Sequence, residues 1–361
     1  MRRPVSTLSP DDLQEWLFSV GELNYRSQQI IKWVHQGQAA GWNQMSNLPP
    51  SLQKLLAIDF NFSTVNIERE QGDLRTTQKF LWRLEDNQLV ESVLIPANTS
   101  LYGETSDRYT LCVSTQVGCA YGCRFCASGL EGFKRNLKPA EIVDQVLSVE
   151  RMQRDQHGNH SRLITNLVIM GMGEPLANYP NLMSALEILN AQWSANIGAR
   201  KITISTSGLA PQIRKLAKEP RQYRLAVSLH GATDEIRNKL MPINKKYPLD
   251  ELIAAIEEYQ SSKNGMITLE YILIAGLNDS LDQALALGKI AKRLRAKLNL
   301  IPYNEVAEFK WERPRQCIQD AFLSKLTKLD VPATLRREKG HDIDAACGQL
   351  RLRTEKELDA N

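Results

Sequence analysis

The sequence predicts an α/β protein: a partial (βα)6 TIM-like barrel with a small N-terminal helical accessory domain. Three observations predict it. From about residue 105, short apolar runs of strand character alternate with stretches of helical periodicity, close to six times over. The first hundred residues lack that alternation. The length, 361 residues, exceeds one typical domain and suits a large α/β unit with an appendage.

The elements follow in order. Leu13, Trp16 and Leu17, then Ile30, Ile31, Trp33 and Val34, recur at helical spacing, and Pro49-Pro50 introduces Leu52, Leu55 and Leu56. Residues 1–58 are therefore read as the helical domain. Residues 59–104 read as a β-rich connection, with strands at Val65–Glu68, Lys79–Leu84 and Val90–Ile95 and a turn at Asp86-Asn87. Residues 105–345 carry strands at Leu111–Ser114, Leu167–Met170, Ile202–Ser205, Leu225–Ser228, Thr268–Ile274 and Leu298–Ile301. Helices fall between them at 138–155, 181–191, 210–218, 249–261 and 280–295. Repeated βα units mean parallel strands with helical crossovers, and six suit an open barrel better than a closed eightfold one. Residues 346–361 form a short C-terminal segment.

Composition narrows the function classes. No apolar run has the length of a membrane span, and no apolar stretch follows the basic Met1-Arg2-Arg3-Pro4, so a cytoplasmic protein is expected. Six cysteines in a chain this long are no disulfide scaffold and read as metal-binding or catalytic. Net charge is +4 but uneven: residues 1–98 carry 9 Lys and Arg against 11 Asp and Glu, the remainder 36 against 30. Basic pairs such as Lys134-Arg135, Arg200-Lys201 and Lys245-Lys246 fall at element ends, where a phosphate backbone could be met; the 292–297 cluster reads as a solvated helix face.

Cys119, Cys123 and Cys126 spell C-x3-C-x2-C. A four-iron cluster normally takes one thiolate per iron, so three thiolates leave one iron open to another ligand. An open position marks a reactive metal site. The competing reading is zinc, with Cys112 or His230 completing the shell, although zinc sites favour paired C-x2-C spacing.

The strand ends carry polar and glycine-rich segments, and in parallel α/β folds ligands gather there. They are Gly171-Met172-Gly173-Glu174-Pro175, Ser205-Thr206-Ser207-Gly208, Ser228-Leu229-His230 and Pro302-Tyr303-Asn304. Each alone could be a turn. Cys112 lies seven residues before Cys119, and Cys347 sits in the small-residue run Gly340–Leu350. Cys317, in the helix-like 316–329 stretch, reads as a small buried hydrophobe.

With these residues together, the chain resembles the RlmN and Cfr family of radical-SAM RNA adenine methyltransferases, over nearly its whole length. The resemblance rests on Cys119–Cys126, Gly-Phe-Lys-Arg-Asn-Leu (132–137), Gly-Met-Gly-Glu-Pro (171–175), Ser228–His230 with Arg237–Asn244, and Asp-Ile-Asp-Ala-Ala-Cys-Gly-Gln-Leu (342–350). It implies a [4Fe-4S] cluster on Cys119, Cys123 and Cys126, and S-adenosylmethionine (SAM) held by Gly173, Glu174, Ser205, Ser228, Leu229, His230 and Asn304. Two SAM molecules per turnover are implied, with Cys347 as an S-methylcysteine intermediate and Cys112 resolving it through a transient disulfide. Glu91 becomes the proton acceptor; read from strand alternation alone, it is a solvent-facing residue.

The implied substrate is an adenine of 23S ribosomal RNA, methylated at C2, with transfer RNA as a second substrate; the Cfr-type alternative is C8. A flavodoxin or ferredoxin would donate electrons to a monomeric enzyme. Glu305 departs from the family pattern, where proline commonly follows the asparagine, which leaves the shape of the 305–315 loop open. A non-catalytic zinc and RNA-binding protein is the alternative of a different class.

Overall fold

The computed structural model of the chain describes residues 2–36, 39–73, 76–96, 108–130, 132–157, 162–305 and 309–336, with Arg351, Leu352, Thr354 and Glu357 of the tail. Strand β1 (Arg3–Pro4) precedes helices α1 (Pro10–Ser19), α2 (Arg26–His35) and α3 (Pro50–Asp59). Helix α1 starts where it does because Ser9 and Asp12 form a capping box, with Pro10 at the first helical position. Leu13, Leu17, Ile30, Ile31, Val34, Leu52 and Leu56 are buried, as their spacing predicts.

Next come β2 (Phe60–Asn61), β3 (Val65–Gln71), β4 (Gln78–Leu84), β5 (Leu89–Pro96) and β6 (Tyr109–Cys112). The predicted Asp86-Asn87 turn is present: Asn87 takes φ 63°, and the Asp86 carboxylate accepts the Gln88 N–H. Strands β7 (Gln116–Gly118) and β8 (Phe133–Asn136) then bracket the cysteine loop.

The strand–helix alternation proper runs through α4 (Pro139–His157), β9 (Ile164–Ile169), α5 (Tyr179–Asn190), β10 (Ile202–Thr206), α6 (Ala210–Ala217) and β11 (Arg224–Ser228). It continues through α7 (Asp234–Leu240), α8 (Leu249–Lys263), β12 (Thr268–Leu273), α9 (Leu281–Arg293), β13 (Lys297–Pro302), α10 (Gln316–Lys328) and β14 (Ala333–Leu335).

The chain divides into two compact units. The first comprises Met1–Ser114, Asn136–Leu167 and Pro180–Lys201; the second comprises Thr115–Arg135, Val168–Tyr179 and Ile202–Asn361. In the first, β3, β4, β5 and β6 pair antiparallel in that order. One sheet face packs through Trp82, stacked on Phe80 at 5.6 Å, whose indole N–H donates to Ser92 (3.0 Å); Ser92 donates in turn to Gln145 of α4 (2.9 Å). Asp144 of α4 accepts both the N–H and the hydroxyl of Thr64, at 2.7 Å each. In the second unit β10 through β14 pair parallel in sequence order, each neighbour reached by a helical crossover.

Six short elements were not foreseen: β1, β2, β7, β8, β14 and α7. Each is too short to show periodicity, and α7 is marked only by Thr233, which caps Ile236, and by acidic residues in its first turn. One expectation is corrected outright. Cys317 is exposed on α10, because Gln319, Phe322 and Leu326 turn the opposite face inward.

Candidate active site

The cysteine loop of the second unit hangs between β7 and β8. Its entry requires glycine at 118: the residue takes φ 71°, and a Cβ there would stand 1.9 Å from the Gly132 carbonyl oxygen. Cys119 N–H donates to that same carbonyl (3.0 Å) and Cys126 N–H to the Cys123 carbonyl (3.1 Å). The middle of the loop is pinned twice. Arg124 N–H donates to Leu240 at the end of α7 (2.9 Å), and the Arg124 carbonyl accepts the Trp311 indole N–H (2.9 Å).

All three cysteines are partly buried. Burial pushes the Cys119 thiol up to about 12, and Cys123 is also raised by burial, with thiolate repulsion from its loop partners adding to both. Two thiols that resist ionising beside a third cysteine are donors that a bound multivalent metal centre would relieve, since metal binding replaces the protons. Among the described residues, no three or more His, Cys, Asp or Glu side chains are gathered so as to hold a metal ion.

The strand-end residues of the second unit surround this loop in the sequence order expected. Gly173 takes φ 96°, and a Cβ on it would meet Gln116 Cβ at 2.4 Å. Gln116 repays that approach by accepting the Glu174 N–H (2.8 Å). The Glu174 carboxylate accepts the N–H groups of Leu176 (3.0 Å) and Ser207 (2.6 Å), tying the glycine turn to the end of β10. Burial raises its pKa, and these hydrogen bonds oppose the rise. Ser205 is buried near the end of β10, Ser228 closes β11, and Asn304 follows β13 partly exposed. Leu229 N–H donates to the Glu270 carbonyl (3.0 Å).

His230 is held in the left-handed region (φ 55°), and its Nδ1 accepts the Ile272 N–H (3.0 Å), which leaves Nε2 to carry the ring proton. Burial, aided by Arg237, depresses it to about 3, so the imidazole is neutral. Phe125, between Cys123 and Cys126, packs edge-on against the His230 ring at 4.7 Å.

Arg237 had appeared only as a motif letter. It is wholly buried and donates to the carbonyls of Leu229 (3.1 Å), Ser207 (2.5 Å) and Ser228 (3.5 Å) and to Asn244 Oδ1 (2.6 Å). Burial lowers it to about 10, while the charge of Cys123 acts to raise it. No spacing rule marks such a residue, because its partners are carbonyls of any sequence.

Glu91 and Cys112 belong to the first unit. Glu91 is buried at 2% exposure and paired with buried Lys79, Oε2 to Nζ 3.4 Å, which corrects the solvent-facing assignment. Alternation failed because this charged position is satisfied by an ion pair within the sheet rather than by water. Lys79 and Cys112 both stand opposite Val93, and Glu91 opposite Leu81, so Lys79, Glu91 and Cys112 share one sheet face. Cys347 lies outside the described residues.

Residues 113–287 match the Radical SAM superfamily model, and residues 5–60 match the ribosomal RNA large subunit methyltransferase N-terminal domain. The chain is 52% identical over 353 residues to a probable dual-specificity RNA methyltransferase RlmN of Akkermansia muciniphila, covering 98% of this chain and 96% of that protein. It is 42% identical over 352 residues to a protein of the same description in Staphylococcus epidermidis, covering 98% and 93%. A crystal structure of a radical SAM methyltransferase from Sphaerobacter thermophilus superposes with TM-score 0.88 at 40% identity, covering 96% of this chain and 98% of that one.

Proposed function

This chain belongs to the RlmN family of radical-SAM RNA methyltransferases, with the partial (βα)6 barrel and N-terminal domain of that family, and from that premise we propose that it methylates C2 of an adenine. The substrates we propose are 23S ribosomal RNA and transfer RNA beside the anticodon, met in the cytoplasm by a monomer. A flavodoxin or ferredoxin would supply the electrons.

We assign the [4Fe-4S] cluster that the family implies to Cys119, Cys123 and Cys126, on the strength of their C-x3-C-x2-C spacing. Once bound, the cluster supplies the electron that cleaves SAM to a 5′-deoxyadenosyl radical. Gly173, Glu174, Ser205, Ser228, Leu229, His230 and Asn304 would hold SAM. A neutral His230 and a glycine without a side chain leave room for its charged amino-acid end.

The observation that carries the reading is the tail. Leu352 packs against Ala127, the residue after Cys126, with Phe309 beside them. Leu352, five residues after Cys347 in the sequence, is therefore anchored at the cysteine loop.

In the reaction we propose, the Cys347 thiolate displaces the methyl group of one SAM. A second SAM serves for radical generation, making two per turnover. A hydrogen atom leaves the S-methyl group, and its carbon joins C2 of adenine. Glu91 accepts the C2 proton, and the unpaired electron of the adduct leaves to the one-electron oxidant formed when SAM was cleaved, which restores the aromatic ring. The Cys112 thiolate then attacks Cys347 Sγ: the S–S bond forms, the S–CH2 bond breaks, and the released carbon gains a proton to become the methyl group. Two electrons later reduce the disulfide. Adenine must leave its stack for C2 to be reached.

The test is an anaerobic assay with methyl-labelled SAM on a ribosomal RNA fragment. Label should appear on Cys347 and then in 2-methyladenosine, and Cys347→Ala should abolish both while iron and sulfide stay bound. Cys112→Ala should leave Cys347 labelled and trap protein on RNA. Product at C8 would assign the Cfr-type reaction, and colourless zinc protein would remove the radical reading altogether.

A further inference from the structure

A buried charged side chain needs a partner beside it. Glu91 is 2% exposed and pairs with Lys79, itself 1% exposed, at 3.4 Å. Such a pair is poorly explained by stability. Desolvating two charges costs several kcal/mol per ion, and an apolar pair of similar volume packs as well or better. The strand register gives a functional reason instead. Lys79 of β4 and Cys112 of β6 flank Val93, two residues along β5 from Glu91, and all three residues project from one face. The other charged groups that the register turns to this face are Arg69 of β3, opposite Leu81, and Arg83 of β4, opposite Leu89 and paired with Glu68 at 2.7 Å; both arginines are partly exposed.

We propose that Lys79 is a positioning residue for the proton-accepting step, fixing the Glu91 carboxylate on the face that carries Cys112. The inference rests on Glu91 as acceptor of the C2 proton. In that step the carboxylate takes the proton, the C–H electron pair returns to the ring, and the unpaired electron of the adduct leaves to the one-electron oxidant formed when SAM was cleaved.

The experiment uses the full-length, anaerobically reconstituted enzyme with methyl-labelled SAM and a ribosomal RNA fragment, followed from pH 6 to 9. It reads three quantities: label on Cys347, protein–RNA adduct, and released methylated RNA. Lys79→Met should keep the Cys347 label, slow release about tenfold or more at pH 7, and accumulate adduct. Lys79→Arg should restore release to within about threefold, because the charge is kept. Glu91→Gln should trap adduct at every pH.

Lys79→Met with a wild-type release rate, while Glu91→Gln stays blocked, overturns the role of Lys79 alone. Wild-type release by Glu91→Gln overturns the reading of Glu91 itself, a different signature. Should Lys79→Met lose the Cys347 label, the double variant Lys79→Met/Glu91→Gln, which buries no unpaired charge, must regain it; a double variant that also lacks the label overturns the proposal.

Discussion

At the scale of single residues, the second unit relies on groups whose value lies in what they touch rather than in their reactivity. Arg237 presents its planar fork to carbonyls at the ends of β10 and β11, and no other side chain offers that number of fixed donors. Arg237→Lys keeps the charge but loses the fork, leaving buried carbonyls without donors. The expected loss is about 3 kcal/mol of stability, together with lower iron content, read from thermal unfolding and iron analysis of anaerobically purified protein. Gly173 carries a sharper constraint, because φ 96° and the 2.4 Å approach to Gln116 Cβ both forbid a side chain. Gly173→Ala should weaken SAM binding by about tenfold or more while the fold survives, since the strain falls on one turn. Equilibrium dialysis with labelled SAM, run beside circular dichroism, checks it; unchanged affinity would remove this turn from the SAM site.

At the scale of elements, what the sequence showed and what it hid have the same physical origin. Parallel strands covered on both faces read as continuous apolar runs, so β10 to β13 were legible to within a residue or two. The hairpin of β7 and β8 was not, because strands of three and four residues show no period and this one is held by backbone hydrogen bonds at glycines. The cysteine ligands and strand-end residues were legible as spacing and as family motif. Glu91 was legible only through the family, since its partner Lys79 is close in the sheet and distant in sequence pattern. Cys317 illustrates the converse on α10. Gln319, Phe322 and Leu326 set the inward face, and Cys317 lies nearly opposite them on the helical wheel. Cys317→Ser should therefore change stability by less than about 0.5 kcal/mol and leave methyl transfer intact. In the wild type, Cys317 should be alkylated well before buried Cys112, as peptide mass spectrometry would reveal.

At the scale of the whole molecule, the first unit is assembled from three separate stretches of chain, and its N-terminal helices cannot be regarded as a removable cap. His35, the last residue of α2, is buried with Nδ1 at 2.9 Å from Ser194 Oγ and its ring edge-on to Trp193 at 4.9 Å; its carbonyl accepts from Arg162 (3.2 Å). Burial first, then the charges of Arg151 and Arg162, depress the imidazole from 6.5 to about 3. The sign follows from proton linkage. Below pH 6.5 the unfolded chain takes up a proton at His35 that the folded chain refuses, so stability present above 6.5 is lost as pH falls toward 3. From pH 7 to 5 the loss from this one residue is about 2 kcal/mol. His35→Gln has nothing to protonate there and should start less stable at pH 7 but lose about 2 kcal/mol less on acidification. Urea unfolding of both proteins at pH 7 and pH 5 measures the difference, and equal acid losses would show that His35 is not held neutral. The same contacts predict the outcome of truncation: deleting residues 1–58 uncovers Trp193, Ser194 and Arg162, and the remaining chain should aggregate rather than yield a soluble core, as size-exclusion chromatography would show.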